Sequence, residues 1–319
     1  MSNNVRKQKP LPKKVCCYKT VSNERYHAQK WAVSSTYLKE MFISSPQLAQ
    51  YRLAVPLEET AALRFGTAAH HLVLMGTRSF RLKYVSKADA PHPDKTFRDS
   101  ENKAWRDSLA EQGIVMLDEQ EMSDVYGARD AIKAHDEAAY RLGECRLREQ
   151  SFFWQDEATG VWCRVRPDAY QLNTCGVTSV IDLKTCRDVG SFEREIFTRG
   201  YDLQAAFYLR GLKAVLGYDA PTDAVFIAVE KTPPYTVGVF KLYSDTLEVA
   251  DSVISELLER EKTYRDAGYY PSGFESVRYP LPPVWEKSKR EAYLPDPQTD
   301  NDDMTVDYWV KDGEFTWDE

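Results

Sequence analysis

The spacing of apolar residues changes character once along the chain, near residue 149. The change separates a helical stretch from a strand-rich one. Before it, Tyr37, Leu38, Met41 and Phe42 recur at helical steps behind Ser34 and Ser35, either of which suits an N-cap. Pro46 opens a further helical turn. A helix is predicted over residues 58–75 from Ala61, Leu63, Ala68, Leu72 and Leu74, with Gly66, Ala68 and Ala69 small enough for close packing. Residues 86–100, with Pro91 and Pro93, read as a loop. Residues 103–110 and 118–141 read as helices, the second carrying the stripe Met122, Val125, Ala128 and Ile132.

After Glu149 the pattern is that of strands. The run Ser151-Phe152-Phe153-Trp154, a turn at Ala158-Thr159-Gly160 and the run from Val161 to Asp168 predict a β-hairpin. A turn at residues 173–176 leads to a third strand over 177–184. Two helices follow, 192–199 and 201–216, parted by Gly200, then strands at 224–230 and 235–242 on either side of Pro233-Pro234. Residues 245–267 form a long amphipathic helix ended by Gly268. The fold class is therefore α/β, with a central mixed sheet flanked by helices and preceded by a helical lobe.

Charge sharpens the domain picture. The net charge of −7 is unevenly spread: residues 1–33 are basic and low in apolar content, which predicts a flexible arm. Residues 295–319 carry nine Asp/Glu against one Lys, with Tyr308, Trp309, Phe315 and Trp317 among them, so residues 286–319 read as an acidic tail. Such a tail suits a solvated end, occupation of a DNA channel or docking on a partner protein. Between these ends the chain is only mildly acidic, and a whole-chain charge does not report the local potential of a groove. The 319 residues are 43% apolar, without a run of about 18 apolar residues, and the first residues lack the apolar core of a secretory signal. The six cysteines (16, 17, 145, 163, 175 and 186) form no C-x-x-C pair and read as reduced thiols of a cytoplasm.

The candidate chemistry lies in Arg166-Pro167-Asp168 and Ile181-Asp182-Leu183-Lys184. If the two strands are neighbours, Asp168 and Asp182 converge at their ends. Two carboxylates plus waters suit a hard cation such as Mg2+, and the Leu183 carbonyl could supply a further oxygen. Lys184 lies two residues beyond Asp182, on the same strand face. It could position a water and offset charge on a phosphodiester under attack, while the metal acidifies that water. Alone, this pattern fits equally a structural Asp–Lys pair on a strand edge. Arg164 and Arg166 alternate with Asp168, so they are expected on its face, as a solvated edge, as a contact of one of them to a DNA backbone, or to balance the acidic cluster. Lys95, Arg98, Lys103 and Arg106, interleaved with Phe97 and Trp105, fit either a DNA-facing loop or a solvated helix start.

The flanking motifs carry a resemblance. Asp168 with Asp182-Leu183-Lys184 resembles the signature of the PD-(D/E)XK nuclease superfamily. Gln204-Ala205-Ala206-Phe207-Tyr208 resembles its Q-x-x-x-Y helix, and Gly66 to His70 resembles the G-x-x-x-H/E motif of its exonucleases. The segments from Glu149 to Trp154 and from Tyr279 to Trp285 are similar to pieces of the RecE-type exonuclease VIII of phages and prophages, distant kin of phage lambda exonuclease. The resemblance covers residues 34–285 and implies a helical lobe (34–147) followed by a catalytic core (148–285).

It further implies that Asp168 and Asp182, with His70 and the Leu183 carbonyl, bind Mg2+ (Mn2+ as a substitute), that Lys184 is the catalytic lysine, and that Gln204 and Tyr208 hold that lysine or the scissile phosphate. His71 is expected to be a packing residue. Ser34 and Ser35 correspond to a helix start near a DNA 5′ phosphate. The implied activity is 5′–3′ digestion of linear double-stranded DNA in a bacterial cytoplasm, leaving 3′ overhangs for strand annealing. A ring-shaped homo-oligomer and an annealing recombinase or single-strand-binding protein are the implied partners. Two other readings stand beside it: a DNA-binding or recombination protein that does not cut, which would lack an acid or the lysine, and an endonuclease of the same superfamily. The iron–sulfur members of the superfamily are excluded, because no cysteine follows Cys186.

Overall fold

The computed structural model describes residues 11–55, 60–91, 97–172, 178–278 and 280–292. The turn expected at 173–176, Lys95, Tyr279 and the acidic tail from residue 293 onward lie outside these residues, as do residues 58 and 59 at the start of the expected second helix. The chain forms one unit over Met1–Glu275 and another over Ser276–Glu319. In the second, α11 (numbered in chain order) spans Val284–Glu291.

The basic N-terminal segment departs from the expected flexible arm. From residue 11 onward it is folded: β1 (Cys16–Tyr18), α1 (Asn23–His27) and β2 (Val33–Ser34) are all built into the first unit. Its apolar residues Leu11, Val21, Tyr26 and Ala32 pack with Phe153, and Trp31 stacks on the Phe153 ring at 5.6 Å. The buried Gln29 ties the segment together, accepting from the Leu11 amide (2.9 Å) and the Trp31 indole (3.0 Å). Scattered aromatic and aliphatic residues among many lysines read as disordered in a window, yet they converge once Phe153 supplies a partner.

The helices before residue 149 follow the apolar pattern closely. They are α2 (Ser35–Ile43), α3 (Pro46–Ala54) and α4 (Ala61–Lys83, broken at Gly76). After a short parallel pair, β3 (Tyr84–Ser86) with β4 (Val115–Leu117) around α5 (Ser100–Glu111), come α6 (Glu119–Ala134) and α7 (Asp136–Glu144). The single helix expected over 118–141 is thus two, because His135 takes an extended conformation (φ −87°, ψ 108°) and caps the second with its ring nitrogen. The candidate lysine and arginine cluster falls on and before α5, where Arg106 lies over the Phe97 ring and pairs with Asp107.

The strands then form two sheets. β5 (Leu147–Arg148), β6 (Ser151–Gln155), β7 (Trp162–Val165), β8 (Ala169–Tyr170) and β9 (Ser179–Cys186) are followed by α8 (Phe192–Thr198) and α9 (Tyr201–Leu216). β10 (Asp223–Glu230), β11 (Val237–Lys241) and α10 (Ser244–Ala267) complete the unit. The expected hairpin is β6–β7, but it lies in a four-stranded sheet ordered β1-β6-β7-β2. The mixed sheet is β11-β10-β9-β8-β5, with β9 and β10 parallel at its centre.

Alternation along the central strands separates two cores. Ala224, Phe226 and Ala228 of β10 and Val180 and Cys186 of β9 face a cluster shared with α2, α9 and α10. Val225, Ile227 and Val229, with Ile181 and Leu183, face a second one shared with α4, α6 and α7. Burial of both faces explains the near-continuous apolar run of β10. Asp182 and Lys184 interrupt this pattern in β9, on the face that α9 covers.

α9 crosses the hairpin at Gly211. A Cβ there would come within 2.5 Å of Trp154 Cζ3 and 2.9 Å of Val165 Cγ2. At an unpacked helical position Gly→Ala stabilises by about 1 kcal/mol. Gly211→Ala is expected to do the reverse, destabilising by about 1–3 kcal/mol through overpacking. Urea denaturation checks the sign; a raised midpoint contradicts the close crossing.

Candidate active site

Sheet register brings the two acids together. Ala169 pairs with Ile181 across antiparallel β8–β9, which sets Asp168, just before β8, beside Asp182. β8 is only two residues long, so the ladder along β9 gives out at that point. The Leu183 amide is satisfied by a side chain, donating to Asp168 Oδ2 at 2.7 Å. Both carboxylates are buried, at 9% and 5% exposure. Burial, and then the charge of Asp182, push the Asp168 carboxyl well above the usual carboxylate range, relieved in part by Lys184 and the Leu183 amide.

Lys184 shares the Asp182 face, as the two-residue spacing requires, and its ammonium pairs with Asp182 Oδ2. Burial disfavours that charge, but Asp182 and Asp168 outweigh it and raise the Lys184 pKa. Asp182 Oδ2 is buried, with the Lys184 ammonium as its partner.

Gln204 and Tyr208 sit one turn apart on α9 and both reach the site. Gln204 Nε2 donates to Asp182 Oδ1 (2.9 Å) and to the Tyr208 hydroxyl (2.7 Å). Its Oε1 accepts from Lys184 Nζ at 3.3 Å and from Lys39 Nζ at 2.8 Å. Lys39, on α2, was not singled out by sequence reasoning. Its only signal was its place in the helix behind Ser34 and Ser35.

His70 of α4 places Nδ1 3.4 Å from Asp168 Oδ2, and burial holds its pKa below the ordinary value. Gly66, one turn earlier, lets α4 approach β9: a Cβ there would lie 3.2 Å from Thr185 Oγ1. His71 turns to Ser79 Oγ (2.9 Å) and the Tyr84 ring, a packing position. A further acid, Glu149, joins the group. Its amide donates to the Asp168 carbonyl (3.1 Å), its backbone holds φ 52°, and burial with the charge of Asp168 lifts its carboxyl to about 7. The resemblance had marked Glu149 only as the first residue of a motif, because its approach depends on a left-handed backbone that no pattern announces.

Among the described residues no three His, Cys, Asp or Glu side chains close a metal cage. The oxygen donors present, the two buried carboxylates of Asp168 and Asp182, the first of them short of positive charge, fit a hard divalent cation that keeps several of its waters. His70 is near enough to join them, and Leu183 meets the site both through its N–H, on Asp168, and through its carbonyl, beside the His70 ring.

Arg164 and Arg166 require a correction. β7 ends at Val165, so the alternation that would carry both onto the Asp168 face stops before Arg166. Both are tied to the N-terminal segment instead of lying on a solvated edge. Arg164 lies over the Tyr26 ring and donates to the Tyr26 carbonyl. Arg166 donates to the Val21 carbonyl (2.6 Å) and pairs with Glu149 at 3.0 Å. Even so, both line a cavity of about 490 Å³ that also includes Lys30, Ser34, Ser35, Arg52, Asp168 and Tyr208. Arg164 Nε and Arg166 Nη1 are buried without an acceptor. Ser34 caps α2 by accepting from the Tyr37 amide at 3.3 Å, and Ser35 is buried in its first turn.

The raised carboxyls make metal-free stability depend on pH. A carboxyl whose pKa is higher folded than unfolded contributes stability that is complete below its unfolded value and lost as pH rises through the folded one. For Asp168 and Glu149 that loss begins near ordinary carboxylate values, and for Glu149 it runs to about 7. In EDTA, Asp168→Asn is therefore expected to raise the urea midpoint, by more at pH 8 than at pH 5. A gain that shrinks as pH rises contradicts the buried acid pair.

A family model described as a PDDEXK-like domain of unknown function (DUF3799) matches residues 34–279. No curated protein matches the chain in sequence. Among solved structures, a protein of Eubacterium rectale described as a candidate exonuclease is 13% identical, with a TM-score of 0.52 over 84% of this chain and 98% of that one. An alkaline exonuclease from Laribacter hongkongensis is also 13% identical, with a TM-score of 0.29 over 77% of this chain and 97% of that one. The first of these likenesses is one of fold. With the match spanning most of its length, the chain belongs to the family of PDDEXK-like domains and has the α/β PD-(D/E)XK fold.

Proposed function

We propose that the protein is a divalent-metal-dependent exonuclease of the RecE type, acting on linear double-stranded DNA. The observation that carries this reading is the convergence of Asp168, Asp182 and Lys184 on adjacent strands, with Gln204 joining the second acid to the lysine. Asp168 and Asp182 would hold Mg2+ or Mn2+, assisted by His70 and the Leu183 carbonyl. When bound, the cation would offset charge developing on the phosphodiester and favour ionisation of an attacking water.

The protein's own groups supply the rest. Lys184 keeps a charged ammonium beside Asp182 and offers it to a phosphate oxygen, inside a site where burial strengthens the attraction. Gln204 holds Asp182 Oδ1, so that carboxylate cannot swing away, and Tyr208 holds Gln204 in turn.

The neighbouring cavity supports end-binding over internal cutting. Its arginine side chains and the N-terminus of α2 suit a terminal phosphate, and part of its wall is made by the N-terminal segment. Ser34, Ser35, Arg164 and Arg166 would then seat a DNA 5′ phosphate, giving 5′–3′ digestion and 3′ overhangs for strand annealing. A ring-shaped homo-oligomer enclosing the duplex, cytoplasmic action in a bacterial host, and a strand-annealing or single-strand-binding partner complete the reading. No helix among the described residues is long and apolar enough to cross a membrane.

Duplexes labelled at either end, linear or closed circular, test this with Mg2+, Mn2+ or EDTA. Digestion should need the metal and a free end, and release 5′ label first. Asp168→Ala and Asp182→Ala should abolish it, and Lys184→Ala should slow it by roughly 100- to 1,000-fold. Cutting of closed circles, early release of 3′ label or full activity in Asp168→Ala would contradict the reading.

A further inference from the structure

Two lysine amino groups meet at one amide oxygen in this site. Lys39 Nζ lies 2.8 Å from Gln204 Oε1, nearer than Lys184 Nζ at 3.3 Å. Both amino groups also sit over the Tyr201 ring, at 4.9 and 4.5 Å from its centre. The Lys39 stem is threaded into place: Gly200 holds φ 61°, and a Cβ on it would stand 3.3 Å from Lys39 Cγ and 3.5 Å from Cδ. A glycine where α8 hands over to α9 thus admits the side chain of a different helix.

The arrangement has a consequence for Gln204. An amide can turn over at little steric cost, exchanging its oxygen and nitrogen, so its orientation is set by what faces each end. Here two amino donors face the oxygen, while a carboxylate and a hydroxyl face the nitrogen. If Lys39 were absent, Lys184 would be the one donor left for Oε1, and its ammonium would be divided between Gln204 and Asp182. Holding Lys39 there is costly. Burial, and then the charge of Lys184, push its pKa down to about 7, while Asp182 and Asp202 favour its charge and Arg199 opposes it. Charged or neutral, the amine still donates to Gln204 Oε1, and its confined stem sets it apart from a solvated surface lysine.

We propose that Lys39 is a positioning residue, which anchors the carbonyl end of Gln204 so that the amino end stays on Asp182 and Lys184 stays available to Asp182 and the substrate phosphate. The inference rests on the hydrolytic reading above, and its test separates the two. Lys39→Met keeps the aliphatic stem against Gly200 and Tyr201 but removes the donor; Lys39→Arg keeps a donor. In the full-length protein with Mg2+ and linear duplex, Lys39→Met should lower kcat roughly 10- to 100-fold, as loss of an outer partner of a metal site does. KM should move by less than about twofold and the salt dependence of DNA binding should not change, because no phosphate contact is lost. Lys39→Arg should recover part of kcat.

A second readout needs no catalysis. The side-chain NH2 resonance of Gln204 in metal-free protein, assigned by its disappearance in Gln204→Glu, should shift in Lys39→Met. An unmoved resonance overturns the proposal. So does an unchanged kcat, or a loss confined to KM with a weaker salt dependence, which would make Lys39 a phosphate contact. If the wild-type protein does not cut DNA, the hydrolytic reading fails, and the resonance alone decides whether Lys39 positions Gln204.

Discussion

Two carboxylates held side by side away from water repel each other, and the surroundings of Asp168 and Asp182 are a set of partial compensations for that repulsion. The Leu183 amide serves one acid; Lys184 and Gln204 serve the other. The offset is incomplete, as the raised Asp168 carboxyl shows. What remains is a demand for positive charge, which a divalent cation meets directly and a folded chain of neutral groups does not. The short β8 is central to this. A longer strand would have satisfied Leu183 through the ladder and left the Asp168 side chain without its anchor.

The N-terminal segment connects this centre to the neighbouring cavity. It contributes β1 and β2 to one sheet and holds Arg164 and Arg166 by backbone carbonyls and the Tyr26 ring. Both arginines so anchored line the cavity that reaches Asp168, and each keeps a buried nitrogen without an acceptor. Fixed guanidinium groups lose little freedom when an anion arrives, so anchoring them favours recognition over mere attraction. Lys39 extends the same logic on the other side of the site, with its stem confined by Gly200 and its amino group on Gln204.

Much of this was legible in the sequence where a residue's role follows from local spacing. The i, i+2 relation of Asp182 and Lys184 and the i, i+4 relation of Gln204 and Tyr208 fix shared faces before any tertiary structure is known. Long elements such as β9, β10, α9 and α10 announce themselves by period. The strands of two or three residues do not, because they owe their existence to partners: β1 to β6, β2 to β7 and β8 to β9. Arg164 and Arg166 do share a cavity with Asp168, but by ties to the N-terminal segment and not by strand alternation. Alternation predicts a face only while the strand lasts, and β7 stops at Val165. Glu149 and Lys39 escaped because one depends on a positive φ and the other on a gap opened by a glycine far away in sequence.

The central claim is that Asp168 and Asp182 together form the seat of a divalent cation. Anomalous diffraction from crystals grown with Mn2+ tests it most directly. The account predicts one strong peak between Asp168 and Asp182, with carboxylate oxygens of both at about 2.0–2.3 Å, lost in Asp168→Asn and Asp182→Asn crystals. Manganese bound elsewhere, or a peak at the site that persists in both variants, would contradict it.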